Sequence, residues 1–122
     1  MTEIPASKIS MVSFADYEII NLLLKEDSFS CTLGGCYIKG EGSVDSDVTL
    51  RIDDWTSLQI TRYDESGENP RTVTVAEAGQ IREICESRLS EESAVISGFN
   101  VSTGHWQTFE FLCPTLSITV IE

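Results

Sequence analysis

The chain has 122 residues, 41% of them hydrophobic. That is enough for one domain with a real core, and too many for a disordered tail. Twenty Asp and Glu stand against eight Lys and Arg, a formal net charge of −12, which argues against a phosphate-backbone binder and favours basic protein partners.

Met1 to Val12 contains Glu3, Pro5 and Lys8 and lacks the continuous apolar run of a secretory signal. The densest apolar segment, Ile19-Ile20-Asn21-Leu22-Leu23-Leu24, is interrupted by Asn and ends at Lys25-Glu26-Asp27. It falls well short of the roughly 20 residues that a spanning helix needs. Ser13 with Asp16 three residues on forms a capping-box variant. The apolar positions from Phe14 to Lys25 fit helical spacing, which predicts a first helix buried against a sheet.

Phe29, Cys31 and Leu33 alternate with polar residues as a half-buried strand does. Gly34-Gly35 is either a two-residue hairpin turn or a bulge that reverses the facing of Cys36 and Ile38. Val48, Leu50 and Ile52 repeat the alternation, Asp53-Asp54 supplies turn chemistry, and Leu58 and Ile60 carry the next strand towards Arg62 or Tyr63. Asp64 to Pro70 is a polar solvent loop. Thr74-Val75-Ala76-Glu77 is a capping box, and Ala78, Ile81, Ile84, Cys85 and Leu89 behind it predict a second helix ending near Ser90. Ala94–Val101, Trp106–Leu112 and the stretch from Leu116 to the end read as three strands joined by turns at 102–105 and 113–115. No strand–helix–strand alternation appears. The expected fold is therefore α+β, a single domain over residues 1–122 with antiparallel β-sheet meanders and two α-helices.

Chemical motifs fare poorly. His105 is the only histidine and sits in a turn beside Gly104, with no nucleophile elbow around it, so no enzyme activity is expected. Asp45-Ser46-Asp47 opens like a calcium loop, but Leu50 and Thr56 occupy the positions that need Gly and Glu. Cys31, Cys36, Cys85 and Cys113 lack zinc-ligand spacing; their even number leaves a secreted disulfide pair open, and the better reading is reduced thiols of a cytoplasmic protein. Gly34-Gly35 and Gly40-Glu41-Gly42 do not open a helix and serve turns rather than phosphates. No cofactor or metal is expected.

Phe109 and Phe111 share a strand face and belong in the core, whereas Trp55, beside the Asp53-Asp54 turn, is the better interface anchor. If strands ending near Lys39, running Asp47 to Ile52 and running Ser57 to Tyr63 form a meander, the 40–47 and 64–70 loops are neighbours. Glu41, Asp45, Asp47, Asp64, Glu65 and Glu68 then share one sheet end, with only Arg71 nearby in sequence to offset them. Such a cluster would steer a basic partner more than it would set affinity.

Val95-Ile96-Ser97-Gly98-Phe99, Ser102-Thr103-Gly104-His105-Trp106, Phe109-Glu110-Phe111 and Ile118-Thr119-Val120 resemble the closing meander of small bacterial immunity proteins of contact-dependent and other polymorphic toxin systems. The likeness covers roughly the last 30 residues, with a looser match at Asp47 to Tyr63. It implies a small, acidic, cytosolic, non-enzymatic inhibitor of a toxin domain, with a basic nuclease as the expected target, bound over its active site or substrate groove. The same electrostatics suit a phage or mobile-element nucleic-acid mimic directed at a host DNA-binding protein. A third reading is a subunit or binding module whose acidity is solubilising. No nucleic acid or membrane partner is expected, and the oligomeric state is left open.

Overall fold

The unbroken alternations become strands in the computed structural model, which describes Met1–Glu122. Residues Thr2–Glu3 form β1, Ala6–Met11 a 3-10 helix, Val12–Ser13 β2, Tyr17–Leu24 β3 and Ser28–Leu33 β4. Cys36–Ile38, Gly42–Val44, Val48–Asp53, Ser57–Arg62 and Arg71–Val73 form β5 to β9. A one-turn α-helix, α1, spans Val75–Ala78. Glu83–Ile84, Glu86–Leu89, Ser93–Phe99, Trp106–Leu112 and Thr115–Val120 then form β10 to β14.

All pairings between strands are antiparallel. A six-stranded sheet has the order β1-β14-β7-β4-β3-β10, a five-stranded sheet β11-β12-β13-β8-β9, and a small third sheet β2-β5-β6. The two large sheets meet across an aromatic seam. Phe29 of β4 lies 6.2 Å from Phe109 and 5.4 Å from Phe111 of β13, ring centre to ring centre. These rings and Phe14 are wholly buried, each contributing roughly 1.5–3 kcal/mol of apolar burial. The inward residues of β4 (Phe29, Cys31, Leu33) and of β7 (Val48, Leu50, Ile52) line the same core.

Strands β7–β8 and β13–β14 are two halves of one long ribbon folded across both sheets. β14 pairs with β7 in the first sheet, and β13 with β8 in the second. At the fold, three residues, Asp54 to Thr56, oppose two, Cys113 and Pro114. Asp54 and Cys113 both take left-handed backbone conformations there, with φ of 54° and 50°. The Thr56 amide bonds to the Leu112 carbonyl at 2.9 Å and closes the corner. Asp tolerates that conformation because its short side chain can bond locally, so the turn chemistry at Asp53-Asp54 is real.

The antiparallel, single-domain expectation holds, but the structure is strand-dominated and neither long helix forms. Residues 17–24 are strand β3. Its register on β4 slips between Ile19 and Asn21, a β-bulge, so Tyr17 and Ile19 face inward before the bulge and Leu22 and Leu24 after it. Adding the exposed Ile20 and Leu23 to this phase-shifted set reproduces helical spacing. Ser13 does act on the backbone, accepting from the Ala15 amide at 3.2 Å, but it caps a turn rather than a helix.

The second expected helix fails for a related reason. Thr74 and Glu77 do form a reciprocal capping box, yet Gly79, at φ 65°, ends α1 after one turn. The chain then pairs with β3 through Glu83 and Ile84, turns at Cys85, and pairs with β12 from Glu86. Switching sheets at Cys85 shifts the inward phase from Ile84 to Ser87 and Leu89, so the buried Ala78, Ile81, Ile84 and Leu89 fall at helical spacing.

Gly34-Gly35 is not a hairpin turn, but the facing does reverse across it, with Cys36 and Ile38 buried out of phase with Leu33. It carries the chain from β4 into the third sheet, where β5 pairs with β2 and β6. A Cβ on Gly35 would lie 2.4 Å from the Val44 carbonyl oxygen, so only glycine allows this approach. The closing three-strand meander is also corrected: β12 and β13 pair, but β14 leaves β13 for β7.

Candidate partner-binding surface

The acidic residues lie where the sequence puts them, on turns and loops, but the meander expected to bring them together does not form. β7 and β8 are in different sheets, so the meander that would join the loops does not exist. Glu41 sits in the β5–β6 turn and pairs with Lys8 at 2.8 Å. Asp45 and Asp47 are exposed on the lead-in to β7. Asp64, Glu65 and Glu68 belong to the β8–β9 connection at the edge of the five-stranded sheet. No hydrogen bond or ion pair links the two loops.

Asp64 differs in kind from the other five. Its Oδ1 accepts from the Ser66 amide and hydroxyl and the Glu68 amide, at 3.0, 2.6 and 2.9 Å, and its Oδ2 accepts from Asn69 Nδ2 at 2.6 Å. The Ser66 and Asn69 side chains, and then the loop amides, hold its pKa down at about 2. Its carboxylate folds the loop. Glu65 and Glu68 are the exposed carboxylates on it.

Trp55 is half-buried, with its ring 4.9 Å from Phe111 at the rim of the aromatic seam. One face supports the core and the remainder is open to solvent.

Cations are scarce, and three of the eight are engaged within the chain. Lys8 is held by Glu41, and Arg51 reaches Asp53 at 3.4 Å. Arg62 turns inward, its Nε donating to Gln107 Oε1 at 2.8 Å and its Nη2 to the Glu77 and Ala78 carbonyls. Of twenty carboxylates, only Glu41 and Asp53 are ion-paired, so the surface field is strongly negative.

Sequence reasoning misses a second surface feature. Ile20 and Leu23 on β3 are 58% and 50% exposed, and Phe99, which ends β12, and Val101 in the turn after it are 50% and 52% exposed. Ile20 and Val101 line a groove of about 450 Å³ together with Gln80 and Arg82. Arg82 and Val101 also line an adjoining groove of about 260 Å³ with Glu83 and Phe99. The tyrosine and paired isoleucines of Tyr17-Glu18-Ile19-Ile20 are the available strand signal. They outline this edge once the helical spacing is set aside.

His105 lies in the β12–β13 turn, its amide donating to Thr103 Oγ1 at 3.2 Å. All four cysteines are free, and burial pushes the Cys31 thiol up to about 12. No helix is long and apolar enough to cross a membrane. Comparison with models of protein families, with characterised proteins and with solved structures finds no match.

Proposed function

We propose that the protein is a non-enzymatic inhibitor that binds a basic protein, as the immunity proteins that roughly its last 30 residues resemble bind their toxins. The target class is a nuclease-type toxin domain, whose cationic substrate groove would receive carboxylates where phosphates normally sit. The observation that carries this reading is the uncompensated charge: eighteen of twenty carboxylates lack an ion-pair partner, while three of eight cations are spent on internal contacts. Folding gains nothing from that self-repulsion, and a basic partner does. Glu65 and Glu68 on one loop and Asp45 and Asp47 on the other are the exposed acids proposed to meet it, with Glu41 and Trp55 flanking and Asp64 shaping its loop.

Co-expression tests the reading. The chain is produced with the basic domain encoded beside its gene, and survival and complex formation are scored. Protection by the parent is expected. Asp45→Lys, Asp47→Lys, Glu65→Lys and Glu68→Lys combined should slow association and reduce its salt dependence; Asp64 is left intact because it holds the loop. A parent that neither binds nor protects refutes the proposal. Selective capture of a host DNA-binding protein, displaced by DNA, would instead establish nucleic-acid mimicry.

A further inference from the structure

We propose that the outer edge of β3 receives an extended, basic segment of the partner as an added strand, with its side chains in the groove beside Val101. This deepens the basic-partner reading and rests on it. β10 covers β3 only at Tyr17 and Glu18, so Ile19 to Leu24 have no strand on their outer side. An uncovered edge presents main-chain donors and acceptors ready for another chain. The Leu22 carbonyl accepts from the side-chain amide of exposed Gln80, at 3.0 Å. Gln80 thus stands where an incoming strand's N–H would donate, and it can swing away.

The chemistry around the edge selects the occupant. Exposed Ile20 and Leu23 flank the edge, and Val101 and Phe99 extend the apolar floor. Glu18 lies directly opposite Glu83 in the antiparallel register, and neither has an ion-pair partner. Like charges so placed are destabilising unless a cation comes between them. Glu26 and Asp27 follow at the other end of the strand. Arg82 is the one cation lining either groove, and it is free to donate to a main-chain carbonyl of the added strand. A segment alternating apolar and basic residues meets all of this. A second copy of the chain does not, because it would bring another Glu18 and another twelve net negative charges.

The test uses the full-length, 15N-labelled protein and a synthetic peptide of about ten residues alternating Val and Lys. A matched peptide with Pro at two central positions lacks the donors that strand pairing needs. The expected result is shift changes at Ile19 to Leu24, Gln80, Arg82 and Val101 with slowed amide exchange along β3. Binding should be about tenfold weaker for the Pro peptide and for the Ile20→Lys/Leu23→Lys protein, both positions being exposed. Changes confined to the 40–47 and 64–70 loops would overturn edge docking while leaving the basic-partner reading intact. Absence of any change along β3 overturns the edge proposal, as does concentration-dependent self-pairing there without peptide. Failure of the basic-partner reading itself registers separately, as loss of protection in co-expression.

Discussion

Gln107 is wholly buried on β13 and ties three parts of the chain together. Its Oε1 accepts from Arg62 Nε at 2.8 Å and from Asn100 Nδ2 at 3.3 Å, and its Nε2 donates to the Ala78 carbonyl at 3.0 Å. Gln107→Met keeps an unbranched chain of similar length and deletes every one of these bonds. Losing the charge-assisted bond to half-exposed Arg62 costs about 1.5 kcal/mol, and losing the amide bond costs about 1 kcal/mol. The Ala78 carbonyl is not orphaned, since Asn100 Nδ2 and Arg62 Nη2 still donate to it at 2.8 and 3.1 Å. Replacing a buried amide by a thioether returns somewhat under 1 kcal/mol. The net expected loss is about 2 kcal/mol. Urea unfolding should register it as a midpoint lower by about 1 M at unchanged m, and thermal unfolding as a Tm lower by about 8 °C. A variant within about 0.5 kcal/mol of the parent would refute the reasoning, showing that the network beneath α1 orients the chain without stabilising it.

Gly98→Ala places a Cβ 2.3 Å from the Glu83 carbonyl oxygen and should drive β10 off β12, costing about 3 kcal/mol in chemical denaturation; an unchanged midpoint would mean that β10 yields freely. The Asp64 carboxyl should titrate near pH 2 by carbon-13 NMR. Its folded pKa is depressed, so its contribution is complete above the unfolded value near 4 and is lost as pH falls through about 2. Loop amides at Ser66 and Glu68 should shift with the same midpoint, and Asp64→Asn should move them at neutral pH. A disulfide reagent at pH 8 should modify exposed Cys113 in the native protein and reach Cys31 only on unfolding, because burial holds that thiol protonated. Prompt modification of Cys31 would show that the β4–β7 layer opens readily.

Where one strand keeps one face inward over its length, the sequence is legible. Phe29-Cys31-Leu33, Val48-Leu50-Ile52 and Phe109-Phe111 alternate without interruption, and their burial follows the pattern. β3, β10 and β11 were hidden because a bulge after Ile19 and a change of sheet at Cys85 each advance the inward phase by one residue. Pairing was less legible still. That β7 takes β4 and β14, not β8, as its neighbours depends on contacts across tens of residues that no local pattern encodes. The same gap governs the surface. The acidic loops are legible as exposed, but the sheet each belongs to follows from strand order, and the groove beside Val101 exists only once Tyr17–Leu24 is a strand with most of its outer side uncovered.

The bent ribbon sets the tempo of folding. Every pair it makes joins residues 48–62 to residues 107–120, and β14 must also slip between β7 and β1 to complete the six-stranded sheet. Loop-closure entropy therefore precedes most of the stabilising contacts, and a chain of such high contact order belongs among domains refolding in milliseconds to seconds. The β12–β13 hairpin, closed by the Asn100 side chain bonding the Ser102 and Thr103 amides, is the local structure able to form first. Stopped-flow refolding should be slowed by Asn100→Ala. If substitutions at Leu50 or Ile118 slow it more, the ribbon rather than the hairpin is the nucleus. Until the ribbon closes, β7 and β8 stand with open edges, so in this protein the segment most exposed to misassembly is the one that later becomes its centre.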